Sequence, residues 1–205
     1  MNLEPALQLV LERLYRLEPR PPVEDFRVHA EHVSGVIDPK VERESLLVEH
    51  DGDETFIALF IAEDVRRRAT QFVAGHTHEL DSFCVAVEGV SHFVYFTFCG
   101  AEERPVSQAE LELQAEIDKY LLLRLLTGLS GPELVAALFD GVRFAKHLCP
   151  ETRDRYAFAN RGGRRYARWL ERKIGAGRTV EALEDARHLY RKPLAAKVDR
   201  IERAA

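Results

Sequence analysis

The sequence predicts an α+β fold: an N-terminal helix and a small antiparallel β-sheet, followed by a C-terminal, bundle-like half of helices. Three observations carry this. Leu3, Ala6, Leu7, Val10, Leu11 and Leu14 recur at spacings of three and four, which is one face of an amphipathic helix. Between about residues 26 and 99 the pattern changes to short apolar runs joined by tight turns, without the helical crossovers that parallel strands need. After Pro105 the helical period returns and persists. Residues 1–104 thus form a helix-plus-sheet region and residues 105–205 a helical region, joined in one compact unit. No repeat or low-complexity tract interrupts them.

Pro19, Pro21 and Pro22 end the first helix and make a stiff link to the sheet region. Segments 26–33 and 43–49 read as strands. His50-Asp51-Gly52-Asp53 comes next, and Asp-Gly between two apolar runs is a hairpin signal because a type I′ turn needs positive φ at both central positions. Thr55 to Ile61 is apolar on both alternating faces and reads as a strand covered on both sides. Residues 63–72 read as a short helix with Arg66, Arg67 and Arg68 on its charged face. Phe83 to Phe98 has strand composition and is too long for one strand, so a second hairpin turning near Gly89 is expected. Ser107-Gln108-Ala109-Glu110 is a capping box opening a helix to about Leu126. Further helices are expected at 132–147, 151–174, 178–191 and 193–203, punctuated by Pro150, Gly175-Ala176-Gly177 and Pro193.

The chain has 205 residues, 46% hydrophobic and 31% charged, a balance that excludes disordered and collagen-like classes. No apolar run reaches the roughly 18 residues of a membrane span, and Glu4, Glu12 and Arg13 break any signal-peptide pattern at the N-terminus. Cys84, Cys99 and Cys149 include no close pair, which argues against disulfides and fits a reducing cytoplasm. The net charge of −5 conceals an asymmetry: residues 1–140 hold 12 basic and 26 acidic side chains, residues 141–205 hold 17 and 8. Such a split attracts an anionic partner, or draws the two parts of the chain together.

Enzymatic signatures are sparse. There is no Gly-x-Ser-x-Gly elbow, phosphate loop or dinucleotide fingerprint. His76 and His78 have the alternate spacing that aims two imidazoles at one ion on an extended segment. They need a third ligand, from Glu88 or His92 if the expected hairpin folds back; otherwise they are solvated loop residues, and no metal or cofactor is assigned. On the helix from Ser107, Glu112, Glu116 and Lys119 gather on the side read as solvent-facing. Glu110 and Asp118, with Gln114, fall within the broad apolar surface instead. There they are either paired with a neighbouring arginine or placed at the edge of a cleft as an acid/base pair.

The strongest lead is segment 151–174. Tyr156, Ala159, Gly163, Tyr166, Leu170 and Ile174 form an inward stripe. Arg161, Arg165, Arg168 and Arg172 lie about half a turn away, joined by Arg164 and flanked by Phe158 and Trp169. Like charges at this spacing repel, so helix stability does not explain them. Gly162-Gly163 marks a helix break, a close helix crossing or a backbone anion site. The primary expectation is a non-catalytic binding or regulatory protein that engages an acidic protein surface through Arg161, Arg164, Arg165, Arg168, Trp169 and Arg172. A metal-dependent enzyme with a cleft between sheet and helices is the alternative, and nucleic-acid binding by the same arginines a further one, opposed by the pI of about 5.9. A homo-oligomer, with the first helix packed on a second copy, also remains open.

Overall fold

The computed structural model describes residues 2–38, 42–52, 54–127, 129–142, 144 and 148–204. Helix α1 (Leu3–Tyr15) ends at Arg16 in the left-handed region, φ 51°. The proline-rich link then folds back along α1, because Gln8 accepts from the Val23 amide at 2.8 Å and donates to the Pro21 carbonyl at 3.0 Å. Strand β1 is only Arg27–Val28, and the rest of the expected strand is a single helical turn, α2 (Ala30–Val33). Strands β2 (Glu44–Asp51) and β3 (Glu54–Ile61) form the expected hairpin, with Gly52 at φ 58°.

The sheet has strand order β1-β3-β2 and is mixed: β2 pairs antiparallel with β3, but β1 pairs parallel with it. This corrects the purely antiparallel expectation. A parallel neighbour became possible because the chain between β1 and β2 carries β2 to the far side of β3. Coverage of β3 is also less complete than expected. Leu59, Phe60 and Ile61 are buried, while Phe56 at the hairpin end is exposed.

The largest correction concerns residues 83–98. They form no hairpin; they lie within one 22-residue helix, α4 (Leu80–Ala101). Helix α3 (Glu63–Val73), α1, α5 (Gln108–Leu126) and the sheet all pack against it. A helix enclosed on every side carries apolar residues all round and loses the 3.6-residue signal, leaving an apolar run that mimics strands. Gly89, read as a turn, instead allows close approach: a side chain there would meet Ile61 and Glu44 at 3.1–3.3 Å. By length and composition residues 77–101 could cross a bilayer, but 67% of that apolar window is buried by the rest of the chain.

The C-terminal half keeps to the expected punctuation. Ser107 caps α5 by accepting from the Glu110 amide at 3.2 Å. Then come α6 (Gly131–Phe139), α7 (Pro150–Gly175), α8 (Thr179–Tyr190) and α9 (Leu194–Arg203). Helix α6 stops at Phe139, short of the expected 147, and residues 145–147 lie outside the described residues. Helix α7 passes unbroken through Gly162-Gly163. These glycines serve a close crossing: a Cβ at Gly162 would stand 2.7 Å from Leu113, and one at Gly163 2.7 Å from Glu116 Cβ. One buried apolar cluster runs from Leu3 to Ile201, so both sides of residue 105 contribute to it. Within it α1 docks on α8, with Tyr15 and Tyr190 stacked 3.8 Å apart.

Candidate functional site

The arginines of α7 lie along a groove. Arg161, Arg164, Arg165, Arg168 and Arg172, with Ala204, line a hollow of about 340 Å³. Three of the five are partly satisfied by the chain itself. Arg164 pairs with Asp140 at 2.5 Å, Arg165 donates to the Glu202 carbonyl, and Arg172 donates to the Ala204 carbonyl at 2.7 Å. Those two carbonyls end α9, where the helix dipole favours cations. Arg161 and Arg168 are exposed and have no partner among the described residues. Trp169 does not line this hollow. Its ring stacks on Tyr166 at 5.7 Å and lies under the Arg200 guanidinium at 4.3 Å, which docks α9 on α7.

Apolar hollows adjoin the arginines at both ends. One, of about 310 Å³, adds Leu113, Phe158, Val198, Ile201 and the acid Glu202 to Arg161 and Arg165. The other, of about 610 Å³, adds Pro132, Val135 and Ala136 to Arg168 and Arg172. The acids near this second hollow are engaged: Asp140 by Arg164, and Glu171 by Arg124 at 3.0 Å and Tyr120 at 2.7 Å.

Comparison with family models, curated proteins and solved structures gave no match. Function must therefore be read from geometry.

Glu110 and Asp118 are 3% and 1% exposed and face no cleft. Glu110 accepts from Tyr95 at 2.6 Å and Arg104 at 2.8 Å, rather than reaching back to complete the capping box. Asp118 accepts from Tyr15, Ser91 and Gln114, and burial pushes its pKa up to about 6 despite these bonds. Gln114 in turn accepts from Lys197, whose ammonium lies 4.1 Å over the Tyr95 ring. These groups knit α1, α4, α5 and α9 together. Of the two readings open for these carboxylates, the geometry matches the structural one: Glu110 is paired with an arginine and Asp118 lies in a buried hydrogen-bond network.

His76 and His78 are exposed, in the turn before α4, with ring centroids 5.8 Å apart. His78 also approaches Glu79, at 3.5 Å. His92 is 14 residues further along, about 21 Å up the helix axis, so the folding-back that would complete their site does not occur.

A different cluster forms where it was not expected. Glu112, Glu116 and Lys119 do not face solvent: they point to α4, β2 and the start of α7. His92 Nδ1 lies 3.6 Å from Glu44 Oε2, and its Nε2 lies 3.6 Å from Glu112 Oε2. Lys119 bridges Glu88 and Glu116 at 3.0 Å each, and Arg155 approaches Glu112 at 3.5 Å. Burial works against a charged imidazole, but Glu112 and Glu44 outweigh it and raise the His92 pKa. Burial raises Glu44 and Glu116, whereas at Glu88 the Lys119 ammonium overcomes burial and lowers the pKa. The missed signal was the spacing of four in Glu88…His92 and Glu112…Glu116, which is meaningful only once residues 80–101 are read as a helix.

Proposed function

We propose that the protein binds an acidic polypeptide segment along the α7 groove and acts by docking rather than by chemistry. One observation carries this reading: the guanidinium groups of Arg161 and Arg168, unpartnered among the described residues, line a hollow that shares arginines with a partly apolar hollow at each end. Exposed arginines are often merely solvated, but these two share one hollow with three further guanidinium groups. Guanidinium groups bind carboxylates bidentately and are less strongly hydrated than ammonium groups, so they suit an interface. From Arg161 to Arg172 the helix advances about 17 Å, which matches about five residues of extended chain. The apolar ends favour a peptide with acidic residues in its middle and apolar side chains at its termini. The net charge of −5 and the pI of about 5.9 count against a nucleic-acid ligand.

A fluorescent peptide of five glutamates flanked by leucines provides the test. Wild-type protein is expected to bind it in fluorescence anisotropy, more weakly as salt is raised. The Arg161→Glu, Arg168→Glu double variant should lose at least about tenfold in affinity (about 1.4 kcal/mol) with its melting temperature unchanged. Replacing the leucines by serine should weaken binding further. Binding of single-stranded DNA in preference to the peptide, or peptide binding untouched by the charge reversal, would overturn the assignment.

A further inference from the structure

We infer that Glu88, His92 and Glu112 form a binding site for one divalent first-row metal ion, with Glu44 behind the imidazole. The donor atoms of these three residues lie within 4.8 Å of one another. Nitrogen and oxygen donors around such a metal stand about 2.0–2.2 Å from it, hence about 3.4 Å from each other in a tetrahedral site. Small side-chain rotations close the gap.

An acidic cluster alone would not make a site. The independent observation is His92, whose side chain is only 7% exposed and whose Nε2 has no hydrogen-bond partner among the described residues. Glu44 Oε2 is orphaned beside it. A protonated imidazole should donate to both carboxylates, yet both separations are 3.6 Å, beyond hydrogen-bond reach. Buried polar groups left this way are costly unless something completes them.

Charge counting points the same way. Five carboxylates (Glu44, Glu88, Glu112, Glu116 and Asp81) face three permanent cations, Lys119, Arg155 and Arg43. Two negative charges remain. A proton on His92 offsets one of them; a divalent ion beside a neutral imidazole offsets both. Glu44 then takes the position, facing the far ring nitrogen, that carboxylates commonly hold behind a ligating histidine. One imidazole with two carboxylates suits manganese, iron or zinc better than calcium or a copper(I) ion. Glu88 keeps 20% of its side chain in solvent and marks the side from which an ion enters. The site is separate from the arginine groove, so either can fail without the other.

The experiment is metal titration of chelator-stripped protein with Mn²⁺ and Zn²⁺, read by isothermal calorimetry and melting temperature, with elemental analysis of the loaded protein. Wild type should hold one ion per chain and melt at a higher temperature when loaded. His92→Gln and Glu112→Gln should lose the ion while keeping the wild-type circular dichroism spectrum, and Glu44→Gln should bind about 10–100-fold more weakly. The His76→Ala, His78→Ala double variant is the control for surface histidines and should bind like wild type. No binding by wild type, or binding that survives both His92→Gln and Glu112→Gln, overturns the site. Binding that disappears only in the His76→Ala, His78→Ala protein overturns it as well.

Discussion

Lys197 is fully buried, an uncommon place for an ammonium group. Around it stand Tyr95 and Tyr190 with their ring faces, Gln114 as hydrogen-bond acceptor, Glu110 and Asp118 as anions, and Arg104 and Cys99. Burial depresses its pKa from 10.5 to about 7, and the two carboxylates offset only part of this. The unfolded chain therefore binds a proton between about pH 7 and 10.5 that the folded chain has released. Stability from this group rises with pH across that window and is lowest below pH 7, where the folded protein must bury the charge. Urea midpoints measured at pH 7 and pH 9.5 should show a steeper gain for wild type than for Lys197→Met. Equal gains would mean that the ammonium is not desolvated as described. The raised pKa values of the buried Tyr15 and Tyr190 act in the opposite sense, but only as pH approaches 10.

Among the elements, the crossing of α5 and α7 is set by its glycines. A methyl group at Gly163 would lie 2.7 Å from Glu116 Cβ, an atom that moves only with its helix, and 3.0 Å from the buried Phe139 ring. Gly163→Ala should therefore destabilise the fold by about 1–3 kcal/mol, although alanine in an isolated helix is favoured by about 1 kcal/mol. Thermal denaturation decides the sign, and a more stable variant would refute the tight crossing. The same elements show what could be read in advance. Helices α5, α7, α8 and α9 were legible because Ser107, Pro150, the glycines near 175 and Pro193 mark their ends. The hairpin between β2 and β3 was legible because the positive φ that Gly52 supplies is a local demand, although Asp51 itself belongs to the strand. Helix α4 was not, since its apolar residues belong to several neighbours at once and leave no polar face. That single misreading hid the Glu88 and His92 pairing. It also made Glu112, Glu116 and Lys119 look like an ordinary charged surface, because side chains that neutralise one another across elements leave no trace along one helix.

For the molecule as a whole, the contact between first and eighth helices matters most. Tyr190 is completely buried, stacked on Tyr15 and edge-on to Tyr95 at 4.8 Å. Arg187 and Arg191 add bonds to the carbonyls of Leu14 and Tyr15, at 2.7 and 2.9 Å. Tyr190→Ala should cost about 3–5 kcal/mol, as for other large aromatic truncations. Because one core runs through both halves, chemical denaturation should remain a single transition by tryptophan fluorescence and circular dichroism. Two separated transitions would show that the halves unfold independently. These long-range bonds also bear on biosynthesis. Leu14 meets Arg187 across 173 positions, so at about 5–20 residues per second the ribosome needs roughly 10–35 s to deliver the partner of the first helix. Helix α4 can cover part of the α1 stripe sooner, but throughout that interval the Tyr15 face waits for its cover, and shielding it during translation falls to whatever waits at the exit tunnel.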